Sequence, residues 1–225
     1  MIKLVAFFKR RRGIDVETFQ QHWRTTHASL VVRLPGLRRY VQNHTLPGGY
    51  HRREPVHDGV AEAWFDDTDA LRQLVSTPEN AAVRADEANF IDPASLESIV
   101  SDEIVMLPGP VHPPDAAKFI AFLKARPDMS IELFQKHWSE QHGPIAAAIP
   151  GNRRYVQCHT QRAAYESGEQ PVYDGVAMSW FDDLDALRTS GKSAEYRATR
   201  DDEANFLAGD PSFVIAREHE IELPA

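Results

Sequence analysis

The sequence predicts an α+β protein made of two ferredoxin-like domains, each an antiparallel sheet with helices on one face in the order β-α-β-β-α-β. Two observations carry that prediction. The chain repeats itself: residues 118–160 align with residues 3–45 without a gap at an offset of 115, and 20 of the 43 positions are identical. Unrelated segments of ordinary composition would match at roughly 6% of positions. Each copy also shows strand and helix signals in that same order. The register resumes at offset 116, where Asp58–Arg72 meets Asp174–Arg188 and the run DEANF appears twice, at 86–90 and 202–206. A repeat this long is a domain rather than a solenoid unit. The expected organisation is a first domain over 1–107, a Pro-rich connector over 108–115 and a second domain over 116–225.

The elements follow in order. A β-rich alternating stretch opens each copy, at Lys3–Lys9 and Lys118–Lys124. A helix comes next, with Asp15 or Ser130 as its N-cap and Glu17 or Glu132 in its first turn, and it stops before Pro35-Gly36 or Pro150-Gly151. The segment RRYVQ-x-H-T reads as a strand, and after a polar loop DGVA-x-x-WF reads as another. An acidic segment then caps a second helical region that runs through DEANF. A last strand, near 98–107 or 214–223, closes the copy. Such a sheet leaves one face bare, and a tandem duplication covers it within one chain. The expected assembly is an intrachain dimeric α/β barrel, a pseudo-dimer with room for a further homodimer.

Composition narrows the function. Hydrophobic residues make up 42% and charged residues 26%, with a net charge of -8. An acidic chain is a poor nucleic-acid partner, because a duplex binder needs a basic face to release counterions. No apolar run reaches the roughly 20 residues needed to cross a bilayer, so no membrane partner is expected. A single cysteine, Cys158, forms no intrachain disulfide, which fits a reducing cytoplasm. Asp58-Gly59 and Asp174-Gly175 read as turn chemistry before a strand.

Candidate site residues come from two elements. Phe19, Trp23, His27 and Leu30 share one helical face, repeated as Phe134, Trp138, His142 and Ile145. A histidine set among Phe and Trp is desolvated and neutral near pH 7, the state a general base needs. On the next strand Arg38, Tyr40, Gln42 and His44 alternate to one side, as do Arg153, Tyr155, Gln157 and His159. If that stripe faces the helix, His27, Tyr40 and His44 converge, and His142, Tyr155 and His159 converge in the other copy. A His base and a Tyr donor suffice for proton transfer between carbon and oxygen. The plainer reading is a buried His bonded to a carbonyl and a Tyr packed on the sheet. Trp23, Trp138, Arg38, Arg153, Tyr50 and Tyr165 are candidates to line a substrate. His22 and His27 are five residues apart, about 140° on an α-helix. They therefore fall on different faces with no carboxylate at ligand spacing, and no metal is expected.

The pattern F-x-x-HW-x-x-x-H followed by PG-x-RRYVQ-x-H-T, present in both copies, resembles the EthD family of dimeric α/β-barrel proteins, here as a tandem fusion. The resemblance implies cofactor-independent isomerases, decarboxylases or cyclases acting on small enolisable lactones or aromatic polyketide-like molecules. It also implies cofactor-free monooxygenases and, in some relatives of the fold, haem. Lactone isomerases, which the chain is similar to, place a His at the end of the first helix and a Tyr after the Pro-Gly turn, and His27, Tyr40, His142 and Tyr155 occupy those places. The expectation is a cytoplasmic acid-base enzyme that uses no cofactor. A non-catalytic small-molecule carrier and a cofactor-free monooxygenase stand as alternatives.

Overall fold

Asp15 and Ser130 do start helices, and their side chains accept the N–H groups of Thr18 and Leu133. The computed structural model describes residues 1–51, 53–109, 116–166, 168 and 170–224. From residue 110 to 115 the expected connector lies outside the described residues.

The first half runs β1 (Ile2–Phe8), α1 (Val16–His22), a π-helical turn (Trp23–His27), α2 (Ala28–Val31), β2 (Leu37–Thr45) and β3 (Gly59–Phe65). It continues with α3 (Thr68–Leu74), α4 (Pro78–Phe90) and β4 (Glu97–Leu107). The second half repeats the plan as β5 (Ala117–Leu123), α5 (Ile131–His137), a π-helical turn (Trp138–His142), α6 (Gly143–Ala147) and β6 (Arg154–Thr160). A short α7 (Ala163–Glu166) precedes β7 (Gly175–Phe181), α8 (Leu184–Ser190), α9 (Ala194–Glu203) and β8 (Ser212–Ile221). The single helical region expected after the acidic segment is two helices in each half. Asp67 and Thr77 cap one pair, and Asp183 and Ser193 the other. Each cap meets the orphan N–H groups of a new first turn, so the chain restarts a helix there.

β3 pairs antiparallel with β1 and β2, β6 with β4 and β7, and β5 with β7 and β8. The hydrogen-bonded order is β1-β3-β2-β8-β5-β7-β6-β4, a closed barrel. The chain forms two compact units, Met1–Val100 with Glu218–Ala225, and Ser101–Arg217. The last strand of each half is therefore divided: β4 pairs with β6 from Ser101 onward, and β8 pairs with β5 from Ser212 to Ala216 before its end joins the first unit.

In the first unit, Phe8, Phe19, Trp23, Phe90 and Ile91 form the core between sheet and helices. In the second, Leu123, Phe134, Trp138, Phe206 and Leu207 do the same. Burying each phenylalanine contributes roughly 1.5–3 kcal/mol. Gly59 and Gly175 begin β3 and β7 directly under the two tryptophans. A Cβ on Gly59 would stand 2.6 Å from the Trp23 ring, and one on Gly175 2.3 Å from that of Trp138. The Asp-Gly pairs are thus more than turn chemistry: the glycines let an indole lie on the strand.

Candidate functional site

The helix before β2 is not uniform, and its irregularity organises the site. A π turn takes an extra residue, so the chain bonds i to i+5 and the face it presents shifts by one position. The buried positions after Trp23 are accordingly His27, Ala28 and Val31, whereas the expected Leu30 is only half-buried. The second half repeats the shift, with Ala146 buried and Ile145 half-buried. The same extra residue overturns the expectation that His22 and His27 face apart. His22 Nε2 lies 2.9 Å from Asp86 Oδ1, and His27 Nδ1 lies 2.9 Å from Asp86 Oδ2. His137 Nε2 and His142 Nδ1 meet Asp202 at 3.1 and 3.0 Å. The carboxylate absent at local spacing arrives from α4 or α9. No group of three or more ligating side chains suited to a metal ion occurs among the described residues.

His27 is 5% exposed and His142 6%. Burial lowers both imidazoles below their usual range and outweighs the bonds to Asp86 and Asp202, which act the other way. Burial raises Asp86, but the bonds from His27, Asn89 and His22 bring it below the usual carboxylate range. The pair is therefore a carboxylate and a neutral imidazole. Nδ1–H donates to Asp86, and Nε2 is left with a free lone pair.

The strand β2 supplies the second group, and its polar stripe does face the helix. Gln42 Nε2 donates to the Trp23 carbonyl at 2.8 Å and to the Tyr40 hydroxyl at 3.2 Å. A carbonyl only accepts, so the amide orientation is fixed and Oε1 must receive a proton from His44 Nε2, 3.0 Å away. Trp23 Nε1 also donates to the Tyr40 oxygen, at 3.0 Å. The phenol thus accepts two bonds and keeps its own proton, with no acceptor for it among the described residues. Burial pushes Tyr40 up to about 12. The second half reproduces these bonds through Trp138, Tyr155, Gln157 and His159 at 2.9–3.1 Å, and Tyr155 is likewise pushed up to about 12.

His44 stacks on Trp23 at 4.4 Å and His159 on Trp138 at 4.3 Å. Burial lowers them to about 3 and about 4. The structure therefore joins Tyr40 and His44 through Gln42, and it places His27 one π turn beyond the Trp23 that holds Tyr40.

Four expected lining residues stand elsewhere. A register shift in β2 between Leu37 and Arg39 takes Arg38 out of the stripe, and its guanidinium pairs with Asp66 at the surface. Arg153 pairs with Asp182 in the same way. Tyr50 and Tyr165 donate to the buried carboxylates of Asp58 and Asp174, at 2.6 and 2.8 Å, and so anchor the loop before β3 or β7. Trp23 and Trp138 are wholly buried.

Sequence reasoning missed the acidic pair inside DEANF. Asp86 and Asp202 hold the histidines, and the next residue, Glu87 or Glu203, is felt electrostatically at Tyr40 or Tyr155. Burial raises Glu203 to about 7 despite its ion pair with Arg200, and it raises Glu87 as well. The signal was available, since DEANF is identical in the two copies.

The sequence profile of the EthD domain matches residues 11–94 and again 126–210, more than half of the chain. The chain belongs to the EthD domain family. No curated protein matches it. Among solved structures, an anthrone oxidase-like protein is similar with a TM-score of 0.71 and 12% identity, over 98% of this chain and 92% of that one. A protein from Fusobacterium nucleatum subsp. nucleatum, named as a candidate monooxygenase, is similar with a TM-score of 0.62 and 8% identity, over 98% and 92%. A candidate chlorite dismutase is similar with a TM-score of 0.57 and 12% identity, over 97% and 94%. At these identities the likeness concerns the fold. This EthD protein has no helix among the described residues long and apolar enough to cross a membrane.

Proposed function

We propose that this EthD protein is a cofactor-independent acid-base enzyme of isomerase, decarboxylase or cyclase type, acting on a small enolisable lactone or aromatic polyketide-like substrate. One observation carries the reading. Each half holds a neutral buried imidazole with a free Nε2 at the end of the π turn, and a buried phenol, bonded to the tryptophan that begins that turn, that accepts two bonds and retains its proton. His27 Nε2 takes a proton from the carbon next to a carbonyl. Asp86 holds the ring in that tautomer and stabilises the imidazolium that forms. The Tyr40 hydroxyl donates to the oxygen on which charge develops. His44 acts as a positioning residue, because its N–H fixes the Gln42 amide that aims the phenol. His142, Asp202, Tyr155 and His159 make the matching bonds in the second half.

A cofactor-free monooxygenase shares the first step, and the names of two of the three similar structures, one anthrone oxidase-like and one a candidate monooxygenase, favour it as the second reading. The test is exchange of deuterium from solvent into the enolisable carbon of a panel of lactones and aromatic ketones, anthrone included, with dissolved oxygen followed in parallel. Replacing both His27 and His142 by Gln is expected to slow exchange by about 10²–10⁴-fold. Oxygen consumption that vanishes with the same variant moves the reading to the monooxygenase. Unchanged exchange with retained ligand affinity leaves a carrier and removes the enzyme.

A further inference from the structure

The two sites share a framework but not a wall. In the second half the residue after His142 is Gly143, and a Cβ placed there would stand 2.5 Å from Met106 Cε and 3.0 Å from Gln157 Nε2. The methionine methyl thus occupies the space beside the amide that aims Tyr155, one residue from the candidate base. It arrives because β4 carries an irregularity there: Val105 pairs with Val156, Leu107 pairs with Tyr155, and Met106 between them is out of register. A bulged residue re-aims its side chain. In the first half the matching residues are Ala28 and, at offset 116, Glu222. Ala28 has the Cβ that Gly143 lacks, so a methyl group cannot sit in that place. Glu222 is exposed, beyond the end of β8. The glycine and the methionine therefore go together, and so do the alanine and the glutamate.

We propose that the two sites are not equivalent: Met106, seated on Gly143, closes the second site beside Gln157, and the first site, around His27 and Tyr40, is the one that takes an aromatic or lactone ligand. This rests on the acid-base reading of the site and assigns it to one half. Met106 is here a specificity-determining residue, and its removal opens a second place for ligand.

The indole N–H groups of Trp23 and Trp138 donate to the two phenols, so their NMR signals report on each site separately. They are assigned from Trp23→Phe and Trp138→Phe, and the full-length protein is titrated with naphthol, a flat aromatic alcohol. In the unmodified protein only the Trp23 signal is expected to move. In Met106→Ala both signals move and the bound naphthol rises from one to two per chain, whereas Met106→Leu keeps the single shift. Movement of both signals in the unmodified protein leaves the acid-base reading standing and overturns the inequivalence. A Trp138 signal unmoved in Met106→Ala also overturns it. If neither signal moves in any of the three proteins, the binding sites themselves are misassigned and the inference falls with them. As an independent arm, His27→Gln alone is expected to remove exchange by about 10²-fold or more. Retention of half the rate means two equal sites.

Discussion

Compared side by side, the halves agree on one face of the sheet and disagree on the other. On the helix side, Trp23, Tyr40, Gln42 and His44 make the same bonds as Trp138, Tyr155, Gln157 and His159, with lengths that differ by no more than 0.1 Å. On the opposite side of β2, Asn43 donates to Glu62 at 2.8 Å, and Glu62 pairs with Lys3 at 2.5 Å, all of it buried. The second half has Cys158 and Met178 in place of Asn43 and Glu62, while Lys118 remains buried over the Trp180 ring at 4.4 Å. A buried polar network exchanges readily for apolar side chains of similar volume where only stability is at stake. A network whose hydrogen-bond directions are all fixed, as on the helix side, has no such apolar substitute. The two faces of the sheet are therefore matched differently between the halves: the helix side bond for bond, the opposite side in position but not in chemistry.

The largest expected effect comes from making the first half resemble the second. Glu62→Met leaves the Lys3 ammonium buried beside an apolar side chain, and urea unfolding should show a loss of about 3–5 kcal/mol. A loss below about 1 kcal/mol would mean that Lys3 is held without Glu62.

Smaller, and ordered between the halves, are the glycines under the tryptophans. Gly59→Ala and Gly175→Ala should each cost about 1–3 kcal/mol through overpacking, with the greater loss at Gly175, where the approach is closer. Equal losses, or an unchanged near-ultraviolet circular dichroism of the indoles, would show that the rings shift freely.

The third comparison is in pH. His44 lies at about 3, and His57 and His159 at about 4, against an ordinary value of 6.5. Burial is the first cause in each. Depressed values mean that the unfolded chain binds the protons first. The contribution is complete above about pH 6.5 and is lost as pH falls toward 3–4, with a slope of about 1.4 kcal/mol per pH unit for each histidine. Removing the ring in His44→Gln should flatten the stability profile between pH 4 and 6 by about one such increment, with its lower limit below that of His159→Gln. A parallel profile would place the protonation elsewhere.

The smallest effect is expected where the halves match but nothing is enclosed. Arg38→Ala and Arg153→Ala break surface pairs with Asp66 and Asp182. Neither should move the unfolding midpoint or the exchange rate, and a loss of exchange would return these arginines to the site.

Much of this was legible beforehand because it depends on local patterns. The caps at Asp15 and Ser130, the alternation that turns Tyr40, Gln42 and His44 to one side, and the duplication itself are written in residue spacing. The resemblance to EthD proteins came from a motif that appears twice. Other features were out of reach for a stated reason. Periodicity assumes 3.6 residues per turn, and Trp23–His27 departs from it, so spacing turns Leu30 inward and sets the two histidines apart, whereas the fold buries Val31 and brings both histidines to Asp86. DEANF was readable as a repeat, but a carboxylate 59 residues from His27 becomes its partner only when α4 folds onto the first helix. Arg38 left its stripe because a bulge breaks the alternation on which the stripe depends.

The sequence by itself determined the class, the order of elements in each half, and which polar residues share the helix-facing side of β2 and β6, since those follow from composition, spacing and repetition along one chain. Tertiary structure decided which nitrogen of His27 is free, which way the Gln42 amide points, that the Tyr40 proton is left over, and that Met106 sits on Gly143. Each of these depends on contacts between segments distant in sequence, and hydrogen-bond direction and steric exclusion exist only once those segments are in place.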